Sequence, residues 1–239
     1  MSYENKEING EEIEILTPSS RVLSIFYSPK KVFKAINDKP NFWLPMIITM
    51  LFTMLFYLTF FGEFKEMLME VIKLSGQSIS VEYIEKMTTI ISGVAIGFAP
   101  VIIAIGTFLT ALFYWLGVML FKGKGVYMKY VSLMAHVGLI SLLSLVITGI
   151  MTILTGEFLI SEPVTSLASW LPDSMNMTFL YGILLDVEVF NIWKLTLVAY
   201  GIHEIGGLKL SKAFIIVGII FVIGILFSGG SLLLNARSF

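Results

Sequence analysis

Residues 87–121 carry no charged side chain. As a helix rising about 1.5 Å per residue, such a run extends on the order of 50 Å, against a bilayer hydrocarbon core of about 30 Å. It is too long for one upright span and too short for two. Pro100 and the glycines Gly93, Gly97 and Gly106 inside it predict one kinked span starting near Gly97, with a lead-in on the outer side. The rest of the chain agrees that lipid is the solvent. Of 239 residues 56% are hydrophobic and 14% charged, with a mean hydropathy of +0.88. An ordinary soluble domain is about 45–50% apolar and about 25% charged. A soluble fold has too little interior to hide this much apolar surface.

Four further segments have span character: 42–61, 131–154, 187–205 and 213–234, of which 187–205 is the shortest and most polar. With 97–121 they predict an all-α polytopic membrane protein, a bundle of five transmembrane helices with flanking interfacial amphipathic helices. Residues 1–20 hold five Glu and read as a polar, acidic cytosolic tail, and residues 21–235 as the membrane domain. The tail has no basic start followed by an apolar stretch, so the first span is expected to be retained as an anchor. A formal net charge of −1 leaves no basic face for nucleic acid. There are no cysteines, which excludes disulfides and thiolate chemistry.

Basic residues near the span ends set the orientation. Lys6, Arg21, Lys30, Lys31, Lys34 and Lys39 precede the first span, Lys122, Lys124 and Lys129 lie between the second and third, and Lys209 and Lys212 between the fourth and fifth. The opposite loops hold Lys65, Lys73, Lys86 and Arg237, and residues 156–188 carry acids and no base. Eleven against four predicts the N-terminus in the cytoplasm and the C-terminus outside. Two amphipathic stretches flank the first span. Ser28 and Pro29 make a helix start, after which Val32, Phe33 and Ile36 share a face opposite Lys30, Lys31 and Lys34. Phe64, Met67, Leu68, Val71 and Ile72 make a second stripe, expected to end at Gly76. Either stripe can lie on lipid or pack on the protein's own spans.

Three stretches carry a family resemblance. SPKKVFKAINDKPNFWLPMII (28–48) brings Pro29, Phe33, Trp43 and Pro45 into the first span. FKGKGVYMKYVSLMAHVG (121–138) has the Gly-x-Gly pair Gly123 and Gly125 before an aromatic. LLDVEVFNIWKLTLVAYGIHEIGGLKLSKAFIIV (184–217) has Asp186 and Trp193 on entry to the fourth span. In order and spacing the chain resembles the Yip family of Ypt/Rab-interacting multi-span membrane proteins, in its bacterial branch, over residues 25–235. The resemblance implies five spans with the N-terminus inside, no catalysis, and a scaffold or accessory role docking other membrane proteins, including exporter or trafficking components. A bacterial plasma membrane is the expected location. The tail is shorter than the cytosolic tails with which eukaryotic members contact small GTPases, so Rab binding is not carried over.

Few side chains suggest chemistry. Lys194 lies inside the fourth span, where a central Lys costs about 2.5–3.5 kcal/mol on the insertion scale. It is expected either to snorkel towards Asp186 and Glu188 or to form a polar site between helices for an anion or a partner's carboxylate. His136 is expected to be hydrogen-bonded between helices, and His203 to sit against a helix C-terminus; HEIGG (203–207) is not a zinc-protease motif. Gly93 and Gly97, with Gly218, Gly224, Gly229 and Gly230, predict close helix contacts within the bundle, or else a homo-oligomer seam. No cofactor or metal site is expected. A transporter or channel using Pro100, His136 and the polar fourth span is the alternative function, and a membrane-shaping protein driven by the two amphipathic helices a second one.

Overall fold

The computed structural model describes residues 3–8, 11–74, 80–156, 158, 164–175 and 178–236. Gly76 and Arg237 fall outside them. Before the membrane segments the chain uses one helix-start device twice. Thr17 caps α1 (Pro18–Tyr27), its hydroxyl accepting from the Ser20 amide at 3.3 Å, with Pro18 at the first position. Ser28 stands at the same place before Pro29 and α2 (Pro29–Asp38), but its side chain makes no capping bond. The reason is that Ser28 also closes α1: its amide donates to Ser24 O at 2.7 Å, and its φ of −140° and ψ of 53° leave the extended range of an N-cap.

The apolar face of α2 packs on protein. Val32, Phe33 and Ile36 are buried while Lys30, Lys31 and Lys34 are exposed. Each apolar side chain so withdrawn from water contributes about 1.5–3 kcal/mol. Ahead of α1, the acidic tail is an antiparallel hairpin, β1 (Tyr3–Ile8) with β2 (Glu11–Leu16), in register from Tyr3 opposite Leu16 to Ile8 opposite Glu11. Its charge hid its pattern: Glu12, Ile13, Glu14 and Ile15 alternate with the period of a strand.

The rest of the described chain is largely helical: α3 (Trp43–Thr59), α4 (Phe61–Leu74), α5 (Val81–Leu120), α6 (Tyr127–Gly138), α7 (Ser141–Thr155), α8 (Phe179–Leu185), α9 (Val189–Gly206) and α10 (Leu210–Ala236). Among the described residues three helical stretches are long and apolar enough to cross a membrane: Val81–Leu120, Tyr127–Thr155 and Leu210–Ser231. The pair α3 and α4, bent by 75°, is a fourth candidate. Asn191, Lys194, His203 and Glu204 make α9 too polar to be among them.

The lead-in before Gly97 and the segment after it are one helix: α5 is continuous for 40 residues, with Gly93, Gly97 and Pro100 inside it. Proline removes one amide and crowds the carbonyl one turn back, yet in an apolar medium no water competes for the remaining backbone bonds, so the helix persists. The 131–154 segment is a single span-length stretch, Tyr127–Thr155, with a two-residue turn inside it. Leu139 and Ile140 turn between α6 and α7, their amides donating to His136 O at 3.2 Å and Val137 O at 3.1 Å.

The chain forms two compact units, each collecting parts of the long helices. One comprises Met1–Thr49, Ile103–Ser141 and Trp193–Phe221; the other comprises Met50–Ile102, Leu142–Ile192 and Val222–Phe239. In the first, α6 is the centre, with residues 130–137 all buried. Gly201 lies so close to Leu133 that an added Cβ would overlap its side chain, and Gly117 packs on Ile216. In the second, Phe56, Phe60 and Phe158 cluster with ring centroids 5.0–6.2 Å apart, and Gly149 lies against Phe56 and Phe60. Gly182 and Gly229 bring α8 and α10 nearly into backbone contact there. The close approaches expected at Gly93, Gly97, Gly218, Gly224 and Gly230 are absent among the described residues: a Cβ at each meets nothing within 4 Å. Their faces point outwards beside exposed Val94, Phe98, Ile219 and Ile223, as suits contact with lipid chains.

Candidate functional site

Lys194, on α9, lines a cavity of about 200 Å³ together with residues of α5, α6 and the start of α7. Its ammonium approaches the Ser141 hydroxyl at 3.5 Å. Thr107, Thr110 and Tyr114 bring further hydroxyls along one side of α5, and Met134, Val137, Leu195 and Val198 supply apolar wall. The break at Leu139–Ile140 makes the site, because it places Ser141 at the first position of α7. Thr107 returns its hydroxyl to Ile103 O at 2.8 Å. Tyr114 is 4% exposed.

The acids at the start of α9 hold partners of their own. Glu188 is buried and caps α9: Oε2 accepts from the Asn191 amide at 2.8 Å and Oε1 from the Thr165 hydroxyl at 2.7 Å. Asp186 ends α8, and its carbonyl accepts from Asn191 Nδ2 at 2.7 Å. Around them Ser166 pairs with Glu188 in an antiparallel bridge, with the Leu167 amide donating to Val187 O at 3.0 Å.

A second cluster surrounds the Gly-x-Gly loop. The Gly123 amide donates to Val118 O at 2.8 Å and the Lys122 amide to Met119 O at 3.0 Å, a Schellman closure of α5 with Lys122 in the left-handed position at φ 60°. Gly123 has no room for a Cβ, which would overlap the Val118 side chain, and Gly125 has a φ of 103° that disfavours any other residue. Three side chains hold the loop: Tyr130 donates to Lys124 O at 2.6 Å, Trp115 to Gly125 O at 3.2 Å, and Tyr127 to Phe108 O at 2.7 Å. The Lys124 amide donates to Gly206 O at 2.9 Å, clasping the loop to the end of α9. His203 closes that end against Leu208 O at 2.6 Å.

The remaining sequence candidates are dispersed. Phe33 is in the buried face of α2, next to Pro29 at its start. Trp43 is 60% exposed and stacks on Phe42, while Pro45 sits in the first turn of α3, where it interrupts no hydrogen bond. Trp193 meets Phe26 of α1 edge-on at 6.5 Å. Pro100 and Asp186 belong to the other unit. His136 holds Ser132 O at 2.8 Å through Nδ1; its buried Nε2 has no partner among the described residues. Among those residues no group of three His, Asp or Glu side chains could hold a metal ion.

The sequence reading missed Arg21 as a structural residue. It is buried, with Nε donating to Leu16 O at 3.0 Å and Nη1 to Lys39 O at 2.7 Å, so it joins the tail, α1 and the end of α2. Burial pulls its pKa below the ordinary arginine value and the charge of Asp38 opposes that shift; the guanidinium stays charged. The Thr17–Pro18 helix start was the available signal, because it places Arg21 in the first turn of α1.

A model of the Yip1 domain matches residues 23–231. The chain belongs to the Yip1 domain family. It is also 31% identical over 224 residues to membrane protein YknW of Bacillus subtilis, covering 92% of this chain and 93% of that one. No solved structure matches it. As a Yip1-domain protein it is a multi-pass integral membrane protein, in a family of accessory and scaffold membrane proteins rather than of known catalysts. The Yip1 match takes in α2, the Gly-x-Gly loop and the Lys194 cavity alike.

Proposed function

We propose that this chain is a non-enzymatic accessory of a bacterial plasma membrane. It docks another membrane protein through the cytoplasmic surface formed by α1 and α2. Five spans, with the N-terminus inside and the C-terminus outside, complete the reading, with α9 as the fourth. The observation that carries it is the two-sidedness of α2. Its apolar face is sealed against protein, which holds the helix in place, while Lys30, Lys31 and Lys34 stand exposed, as do Leu23 and Tyr27 of α1, each at 59%. A fixed surface mixing cations with an aromatic and an aliphatic side chain suits an acidic protein partner.

The test is site-specific. A photo-crosslinker at Lys34 should capture one membrane protein in stoichiometric yield, and the same group at exposed Leu116 should not. Lys31→Glu with Lys34→Glu should lower co-purification of that protein in mild detergent at least tenfold while leaving the thermal unfolding midpoint unchanged. Equal capture from both positions, or co-purification indifferent to charge reversal, would sink the docking role. The Lys194 cavity favours one other reading, passage of a small solute. Proteoliposome flux abolished by Lys194→Leu would support transport against docking.

A further inference from the structure

We infer that the Lys194 cavity is a binding site for a carboxylate carried on an acyl chain and entering from the hydrocarbon side. This goes beyond docking and does not depend on it.

The charge comes first. Lys194 supplies a single ammonium, and a single compact cation suits a monoanion. Ser141 brings a hydroxyl to within 3.5 Å of that ammonium. As the first residue of α7 it also marks a helix start, where backbone amides lack a carbonyl one turn back and the helix dipole favours negative charge. The cavity wall also holds Tyr114, a residue 4% exposed. A tyrosine hydroxyl can donate a hydrogen bond to an anion. Thr110 adds a donor at the rim, where it is exposed. A carboxylate offers about four lone-pair sites, enough for the ammonium and these hydroxyls together.

Size and access select the carrier. A volume of about 200 Å³ falls below the range of roughly 300–1,000 Å³ typical of pockets that enclose a drug-sized molecule. It takes a headgroup with a few methylenes and leaves a longer tail outside. The rim residues Gly106 and Thr110 are exposed on α5, flanked by Ile105 at 61% and Leu109 at 49% exposure. A tail leaving over this rim would lie on apolar surface, against Met134 and Leu195 within and Ile105 without. A small carboxylate from water would gain nothing from those contacts.

The measurement uses the full chain, purified in dodecyl maltoside and reconstituted in zwitterionic nanodiscs, with laurate labelled with carbon-13 at the carboxyl group. One laurate per chain should bind saturably, with a shifted carboxyl resonance. Lys194→Met should weaken it at least tenfold and Tyr114→Phe or Thr110→Val severalfold. Lys212→Met, outside the cavity, should change nothing. Lys194→Arg keeps the charge and should retain most of the binding, which covers the case in which Lys194→Met fails to fold. Dodecanol competing as well as laurate, or Lys194→Met binding normally, overturns the site. Acetate binding as tightly as laurate keeps the carboxylate site but overturns the acyl source. If neither acid binds while Lys194→Met loses a co-purifying protein, the carboxylate belongs to a protein and the proposal fails.

Discussion

Lys122 occupies the left-handed position that closes α5, with φ at 60°. A β-carbon there crowds the carbonyl that follows, a cost of about 1 kcal/mol that glycine avoids. Lys122→Gly is therefore expected to stabilise the protein by about 1 kcal/mol, read as a raised thermal unfolding midpoint in detergent, whereas Gly125→Ala at φ 103° should lower it. Arg21 illustrates the reverse relation between sequence and role. In the sequence it is one of sixteen basic residues and counts only towards orientation. In the structure its two bonds to carbonyls of Leu16 and Lys39 make it a buried joint. Composition cannot separate these roles, because a guanidinium on the surface and one satisfied by backbone carbonyls are the same letter.

At the scale of elements, periodic and capping signals were legible and tertiary closeness was not. The start of α2 at Pro29 and its apolar face of Val32, Phe33 and Ile36 follow from local pattern, and the structure buries that face. The hairpin was equally local, but its Glu content pointed away from structure. The glycines show the limit. Spacing marks Gly93 and Gly97, yet both face open space, while Gly201 and Gly182, outside any GxxxG pattern in this chain, make the tight contacts. Small residues permit close approach; which helix faces another is decided by the whole bundle. Gly201→Leu should thus destabilise by about 1–3 kcal/mol through overlap with Leu133, and Gly93→Leu should stay within about 0.5 kcal/mol. Detergent thermal shifts on the two variants give the comparison. Damage from Gly93→Leu as large as that from Gly201→Leu would mean that the α5 face is covered by another molecule. The Lys194 cavity was visible only in part: the lysine and its polar alternative could be read, but the turn at Leu139–Ile140 that adds Ser141 has no proline or polar run to announce it.

For the whole molecule the deciding term is the solvent. Exposed Ile105, Phe113, Leu120 and Phe227, between 54% and 83% accessible, would be an aggregation surface in water and are ordinary in lipid. The proposed five crossings would place the two ends of the chain on opposite sides, and the cysteine-free sequence makes this simple to check. Single cysteines at Ser2 and Ser238 should differ in reaction with a membrane-impermeant maleimide on intact cells. The first should be blocked until the membrane is permeabilised and the second labelled at once. Blocking of both until permeabilisation would remove α9 as a span and place Lys209 and Lys212 outside.

The bond from Lys124 to Gly206 gives the cytoplasmic loops of this proposed topology an unusual status. Two connections far apart in sequence are stitched together by backbone, with Tyr130 fastening the same carbonyl stretch from below. Force applied by a neighbour at either connection is shared by both, so the helices ending there shift in concert or not at all. A break in the chain at Gly125 would leave the flanking pieces still holding hands.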